Sequence, residues 1–295
     1  MKRTRVLVAA ALASALVLAG CGQEGAPGGG EASGYEPVVA ENVTVEGSPT
    51  FQAMQDRGRV VIGVRDDQPG LGFQDATTGE FTGFDVDMAR MVAGGLGFGP
   101  DQIDYRVVPS AAREDVIERG EIDYMVGTYT INDNRKERVG FAGPYYVAGQ
   151  GLLVRADDEE ITGPDTLQGK IVCSVTGSTP IQRVRDEGLT DQIVEFQTYS
   201  QCVDQLLNNQ VDAVTTDDAI LLGYASQNSE QLKLAGDTFS EEPYGIGVPR
   251  DDTAFRNKVN DLLQAADDDG TWQTIYDGTL GESGTPGTPP AIDRY

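Results

Sequence analysis

Two similar α/β lobes are the fold expected of this 295-residue chain. Short β-branched runs alternate with stretches of helical periodicity, and the alternation occurs in two successive series. The region carrying it, about 230 residues, suffices for one large domain or two small ones.

The first series opens with a strand over 59–65, followed by a helix over 84–93 that places Phe84, Met88, Met91 and Val92 on one face. A strand over 105–108, a short helix over 113–119 with Val116 and Ile117 inward, and a strand over 122–126 complete it. The second series runs through a strand at 170–175, a helix opening at Pro180, a strand at 193–196, a helix at 201–208, a strand at 211–215 and a helix at 218–226. This order implies largely parallel sheets.

The flanks read differently. Lys2, Arg3 and Arg5 precede fourteen uncharged residues, 6–19, and the segment ends Leu18-Ala19-Gly20-Cys21. A basic start, a short apolar run and small residues make an export signal over 1–20, too short for the roughly 18 to 20 apolar residues that cross a bilayer. The mature domain is therefore expected outside the cytoplasm. Leu-Ala-Gly-Cys resembles the bacterial lipoprotein cleavage motif, which implies lipidation at Cys21 on the extracellular face of the cell membrane; an ordinary signal peptide is the alternative. Residues 21–50 and 283–295, rich in Gly and Pro, read as a flexible tether and a flexible tail.

Composition narrows the function. Loss of 1–20 removes three of 22 basic residues, leaving 19 against 47 acidic ones, a balance of −28. Nucleic acid is excluded as a partner, and acyl chains rather than charge would supply the membrane contact. With no His, the chain cannot make a Ser-His-Asp or Cys-His site, a His-ligated metal site or a His general base. No metal, cofactor or enzymatic activity is expected. Cys173 and Cys202 remain after Cys21; an oxidising location favours a disulfide between them, two separate buried thiols being the other reading.

Five segments then occur in a telling order: Gly83-Phe84-Asp85-Val86-Asp87-Met88-Ala89, Thr128-Tyr129-Thr130-Ile131-Asn132-Asp133-Asn134-Arg135, Phe141-Ala142-Gly143-Pro144-Tyr145-Tyr146, Val211-Asp212-Ala213-Val214-Thr215-Thr216-Asp217 and Tyr244-Gly245-Ile246-Gly247-Val248. Together they resemble the extracellular solute-binding proteins (family 3 type) of ABC amino-acid importers. The likeness runs from about residue 59 to 280 and is nearest to the glutamate/aspartate-binding lipoproteins of Gram-positive actinobacteria. It implies a periplasmic-binding-protein type II fold: two Rossmann-like lobes joined by a two-segment hinge, with lobe 1 from 51–146 and 246–282 and lobe 2 inserted as 147–245. Gly149, Gly151, Gly245 and Gly247 would give the hinge a permissive backbone; without the family they read as turns or bulges.

An α-amino acid presents a carboxylate and an ammonium, which an Arg fork and a carboxylate can strip of water. By the resemblance, Arg135 holds the ligand α-carboxylate with donors from Thr128 and Thr130, and Asp217 accepts the ammonium from the other lobe. Ser178 and Thr179, in Gly177-Ser178-Thr179-Pro180, match a loop and helix start whose N–H groups complete the carboxylate site. Tyr129 is the candidate for stacking on the ligand, whereas Trp272 reads as core.

Two further arginines bear on the side chain. Arg65 ends the first strand where the acidic-ligand members similarly place an Arg, and Ser110-Ala111-Ala112-Arg113 looks like their Ser-x-Asn-Arg stretch. Both would meet a second ligand carboxylate. Ala112 replaces the Asn, and Glu114 and Asp115 could draw Arg113 to the surface; Asp67, on the same side of the strand as Arg65, could neutralise it. The expected function is binding of L-glutamate or aspartate for delivery to ABC permease subunits. The alternatives are a binder of glutamine, asparagine or another polar amino acid, a small-acid dehydratase on the same fold, and a partner-dependent sensor.

Overall fold

A computed structural model describes residues 35–283 and 286–295; the export signal, Cys21 and residues 21–34 of the expected tether lie outside the described residues. The first described helix, α1 (Pro49–Arg57), starts where sequence rules place a start. Ser48 accepts a hydrogen bond from Phe51 N, Pro49 occupies the first turn, and Gly58 ends the helix in the left-handed region at φ +71°.

The chain continues through β1 (Val60–Val64), β2 (Asp67–Gln68), β3 (Gly72–Gln74), β4 (Phe81–Thr82), α2 (Phe84–Gly95), β5 (Ile103–Val107), α3 (Arg113–Glu118), β6 (Tyr124–Met125), α4 (Asp133–Lys136) and β7 (Val139–Ala148). The next stretch holds β8 (Gln150–Arg155), β9 (Ile171–Val175), α5 (Thr179–Asp186), β10 (Gln192–Phe196), α6 (Tyr199–Leu207), β11 (Ala213–Asp217), α7 (Asp218–Gln227) and β12 (Leu232–Ala235). Finally β13 (Glu242–Pro249), α8 (Thr253–Asp268) and α9 (Thr271–Asp277) return to the first layer.

Two five-stranded sheets result, in the orders β5-β1-β6-β13-β7 and β10-β9-β11-β8-β12. In each, four strands run in one direction and a single strand, β13 in the first and β8 in the second, runs against them. The mixture reflects the two connecting strands. β7 leaves the first sheet at Ala148 and the chain enters the second at Gln150, while β13 comes back antiparallel to β7. A small antiparallel sheet, β2-β3-β4, was not expected from periodicity because its strands are two or three residues long.

Several expectations need adjustment. The strand expected at 122–126 pairs only at Tyr124–Met125, although Ile122 and Val126 are buried beside it. Helix α6 begins at Tyr199 rather than 201 because the Thr198 hydroxyl caps it. The expected hinge glycines do not use a permissive φ: none of Gly149, Gly151, Gly245 and Gly247 lies in the left-handed region. Crowding explains three of them instead. A Cβ on Gly149 would lie 2.6 Å from Thr238, one on Gly245 2.6 Å from Ile131, and one on Gly247 2.7 Å from the Tyr129 ring.

The flanks are irregular, as their composition suggests, but the described parts are packed, which corrects the flexible-tether and flexible-tail reading there. Ala40 N donates to Gly94 O (2.9 Å), and Tyr35, Val43 and Val45 lie against the core. At the other end Asp293 N donates to Gly143 O (2.9 Å), Phe141 N donates to the Tyr295 hydroxyl (2.8 Å), and the Tyr295 ring faces Lys136 and Arg256. A few apolar and aromatic side chains spaced among Gly and Pro anchor each segment to the first lobe.

Trp272 packs in the core as expected: it stacks on Tyr276 with centroids 5.1 Å apart and donates Nε1–H to Tyr145 O. In the second lobe Cys173 on β9 and Cys202 on α6 form a disulfide across 29 residues. Loop-closure entropy for that spacing corresponds to about 3 to 4 kcal/mol. Reduction, or Cys173→Ser with Cys202→Ser, is expected to lower Tm by on the order of 10 °C; calorimetry with and without dithiothreitol checks this, and an unchanged Tm would deny the bridge a stabilising role.

Candidate ligand-binding cleft

The first wall of the cleft is the segment 128–130, which follows β6. Thr128 is held at φ +44°, an unusual conformation for a β-branched residue. Three partners hold it there: its N–H donates to Asp85 Oδ2 (2.8 Å), its hydroxyl meets Gln68 Nε2 (3.1 Å), and its carbonyl accepts from Arg113 Nη1 (3.3 Å). Asp85, at the start of α2, also accepts from the Tyr145 hydroxyl (2.7 Å), and burial pushes its carboxyl up to about 6.

Tyr129 is fully buried, packs edge-on against Phe141 and donates its hydroxyl to Glu114 Oε1 (2.7 Å). The guanidinium carbons of Arg113 and Arg135 lie 4.2 and 5.0 Å from its ring centroid. This corrects the expectation of a ligand stacking on Tyr129. The ring supports two arginines, each through a cation–π contact.

Three guanidiniums therefore gather on the first lobe, and their partners differ. Arg65 (1% exposed), just beyond β1, donates from Nη1 to Val108 O (3.1 Å) and from Nη2 to Asp67 Oδ1 (2.8 Å). Its Nε is buried without a partner among the described residues. Arg135, in the short helix α4 capped by Asn132, donates to Thr130 O (2.6 Å) and lies 3.4 Å from Glu114. Arg113 (2% exposed) donates to the carbonyls of Ser110, Gly127 and Thr128 and forms no ion pair among the described residues. Burial, then the nearby Arg135 and Arg65, push Arg113 down to about 10, so it stays charged at neutral pH. Asp115 pairs with Arg138 instead of drawing Arg113 outward.

The second lobe supplies the opposite wall. Asp217 ends β11; its Oδ2 accepts from the Tyr244 hydroxyl (2.6 Å), while Oδ1 is buried with no partner among the described residues. Burial first, then the neighbouring Glu242, push its carboxyl up to about 7. Ser178 caps α5, accepting from Ile181 N, and its own N–H bonds to Val175 O, so its polar groups largely serve the turn. Thr179 lies 3.4 Å from the Thr130 hydroxyl across the cleft and donates to Glu242 Oε2 (2.7 Å).

The lobes touch. Arg135 Nη2 donates to Gly177 O (3.3 Å), Arg65 Nη2 to Gln197 O (3.3 Å), and Tyr199 N to Asp67 Oδ2 (2.6 Å). Gly177, at φ +79°, comes so near Ala111 that a Cβ there would sit 2.6 Å from its Cα. Arg65, Arg113, Thr128, Thr130, Arg135, Ser178, Thr179 and Asp217 are thus brought to the junction of the two lobes, and of these Thr130 and Thr179 line its open pocket. Sequence reasoning missed Glu242, Tyr244's bond to Asp217, Asp85 and the bridging role of Asp67. Asp85 and Tyr244 lay inside the quoted motifs; Glu242 lay outside them and is held by Ser240, Thr179 and Arg183. Among the described residues no cluster of three or more His, Cys, Asp and Glu could hold a metal ion.

Comparison with known proteins agrees with this architecture. Residues 60–282 match the bacterial extracellular solute-binding proteins, family 3, and the chain belongs to that family. The glutamate-binding protein GluB of Corynebacterium efficiens is 40% identical over 84% of this chain and 90% of its own length. The glutamine-binding protein GlnH of the ABC transporter of Bacillus subtilis is 33% identical, over 94% and 96%. Among solved structures, an ancestral arginine-binding protein bound to arginine superposes with a TM-score of 0.72 at 33% identity, covering 76% of this chain and 99% of that one. The chain is an amino-acid solute-binding protein with the type II fold.

The raised Asp217 carboxyl carries a stability consequence. A group whose folded pKa lies above its unfolded value stabilises the folded state at low pH and loses that contribution as pH rises, here between about 4 and 7. Asp217→Asn is therefore expected to raise Tm at pH 8 and leave it nearly unchanged at pH 4; a lower Tm at pH 8 would contradict the burial argument.

Proposed function

We propose that this protein binds L-glutamate between its lobes, as a lipid-anchored component of an ABC importer held at the extracellular face of the membrane through Cys21. The observation that carries the ligand assignment is Arg113, buried, charged and without a directly paired carboxylate among the described residues, Glu114 acting on it only at longer range, while Arg65 and Arg135 each pair with one. A buried unpaired guanidinium is costly unless a ligand anion compensates it. In this reading Arg135 and Thr130 take the α-carboxylate, Asp217 takes the ammonium, and Arg113 takes the side-chain carboxylate. The glutamate-binding relative from Corynebacterium supports the reading.

Both ends of the ligand must be satisfied from different lobes, so binding favours the closed arrangement, the shape offered to the permease. The second reading is glutamine. It is favoured by the ion pair of Asp67 with Arg65, which cancels one of the two cations invoked for an acidic side chain, and by the glutamine-binding relative. The named relatives are binding proteins, which supports binding rather than catalysis.

Calorimetric titration of the mature protein decides between the ligands. Glutamate is expected to bind roughly ten- to a hundredfold more tightly than glutamine, because the amide leaves Arg113 uncompensated at a cost of about 1 to 3 kcal/mol. Arg113→Ala should abolish that preference; its survival would remove the basis of the assignment.

The ammonium requires Asp217 as a carboxylate. Affinity is therefore expected to fall by up to about tenfold per pH unit below pH 7, with release of a proton on binding that buffers of different ionisation enthalpy reveal. Pure pH independence from 5 to 8 would place the ammonium elsewhere.

A further inference from the structure

We propose that Asp67 is the residue that sets the acid-versus-amide preference of the cleft, by cancelling the charge of Arg65 while bridging the two lobes. It lies in β2 and is 8% exposed. Both carboxylate oxygens are engaged: Oδ1 accepts from Arg65 Nη2 (2.8 Å), and Oδ2 accepts from the N–H of Tyr199 (2.6 Å), the first residue of α6 in the other lobe. Its carbonyl accepts from the hydroxyl of Tyr224 in α7, a second bond across the cleft.

Arg65 is correspondingly occupied. Nη1 is taken by Val108 O, Nη2 by Asp67 and Gln197 O, and only Nε is unpartnered among the described residues. Of its five N–H groups, the Nε–H and one on Nη1 are left over, and its charge acts against the field of an adjacent carboxylate. Arg113 has no such direct ion pair among the described residues, Glu114 being paired with Arg135 and acting on Arg113 only at longer range, so the net positive charge that meets a ligand side chain is nearer one unit than two. Asp67 fixes that number. Glutamate and glutamine have nearly the same shape, so any effect of Asp67 on lobe closure cancels in the ratio of their affinities, and only the charge effect remains.

The inference rests on the reading that the cleft takes an α-amino acid with an acid or amide side chain. The readout is the ratio Kd(glutamine)/Kd(glutamate) by calorimetry on the mature protein. Asp67→Asn keeps the shape and removes the charge, and is expected to raise the ratio about tenfold. Arg65→Gln is expected to lower it by a similar factor, and Arg65→Gln combined with Asp67→Asn, which removes the pair without changing net charge, should return it to within about threefold of wild type. The double variant keeps the test open if Asp67→Asn alone does not fold. Tyr224→Phe, which removes a lobe-to-lobe bond and no charge, should weaken both ligands alike.

An unchanged or lowered ratio in Asp67→Asn, or a double variant as low as Arg65→Gln alone, overturns the inference. A wild type that prefers glutamine overturns the glutamate assignment, yet the shift on Asp67→Asn is still expected.

Discussion

Three guanidiniums withdrawn from water, two of them against one tyrosine ring, are the constraint around which this cleft is arranged. Like charges so close repel, and burial penalises each, so the surroundings have to answer with carbonyl oxygens, an aromatic face and carboxylates. Each answer comes from a different part of the chain. The carbonyls of 127, 128 and 130 face Arg113 and Arg135, Glu114 steadies Tyr129 and Arg135 together, and Asp67 takes Arg65. The turn at Thr128 makes sense in this setting. Its disfavoured backbone angle aims a carbonyl at Arg113, and the buried Asp85 carboxylate offsets the strain by binding its N–H.

The opposite wall has the complementary problem. Asp217 and Glu242 are buried acids near one another, and Tyr244, from the connecting strand β13, gives a hydrogen bond to Asp217. A cationic wall on one lobe thus faces an acidic wall on the other, the charge pattern that complements a zwitterion. Because Tyr244 and Glu242 sit on a strand that joins the lobes, the acidic wall is tied to the joint itself.

Much of this was legible in the chain. The alternation of strands and helices predicts both sheets, and the ordered motifs bring Arg135 and Asp217 to opposite walls. Arg65 and Arg113 were ambiguous in sequence, since each had acidic neighbours that could claim it. Geometry separates the cases: Asp67 claims Arg65, whereas Glu114 turns to Tyr129 and Asp115 to Arg138. What periodicity cannot register is side-chain traffic over long separations, such as Asp67 with Tyr199 or Thr179 with Glu242. Tyr129 misleads for a related reason. An aromatic inside a binding motif suggests ligand stacking, but the local density of arginine gives the ring another occupant.

The placement of β13 reaches beyond binding. It fills the gap between β6 and β7, so the first lobe lacks one of its five strands until residues 242–249 have joined it, while the second lobe has all its strands between 150 and 235. A nascent chain thus holds an incomplete amino-terminal layer with unpaired edges next to an inserted unit whose strands are all present. The sheet that begins first in the chain can be completed only after the whole of the other has been synthesised.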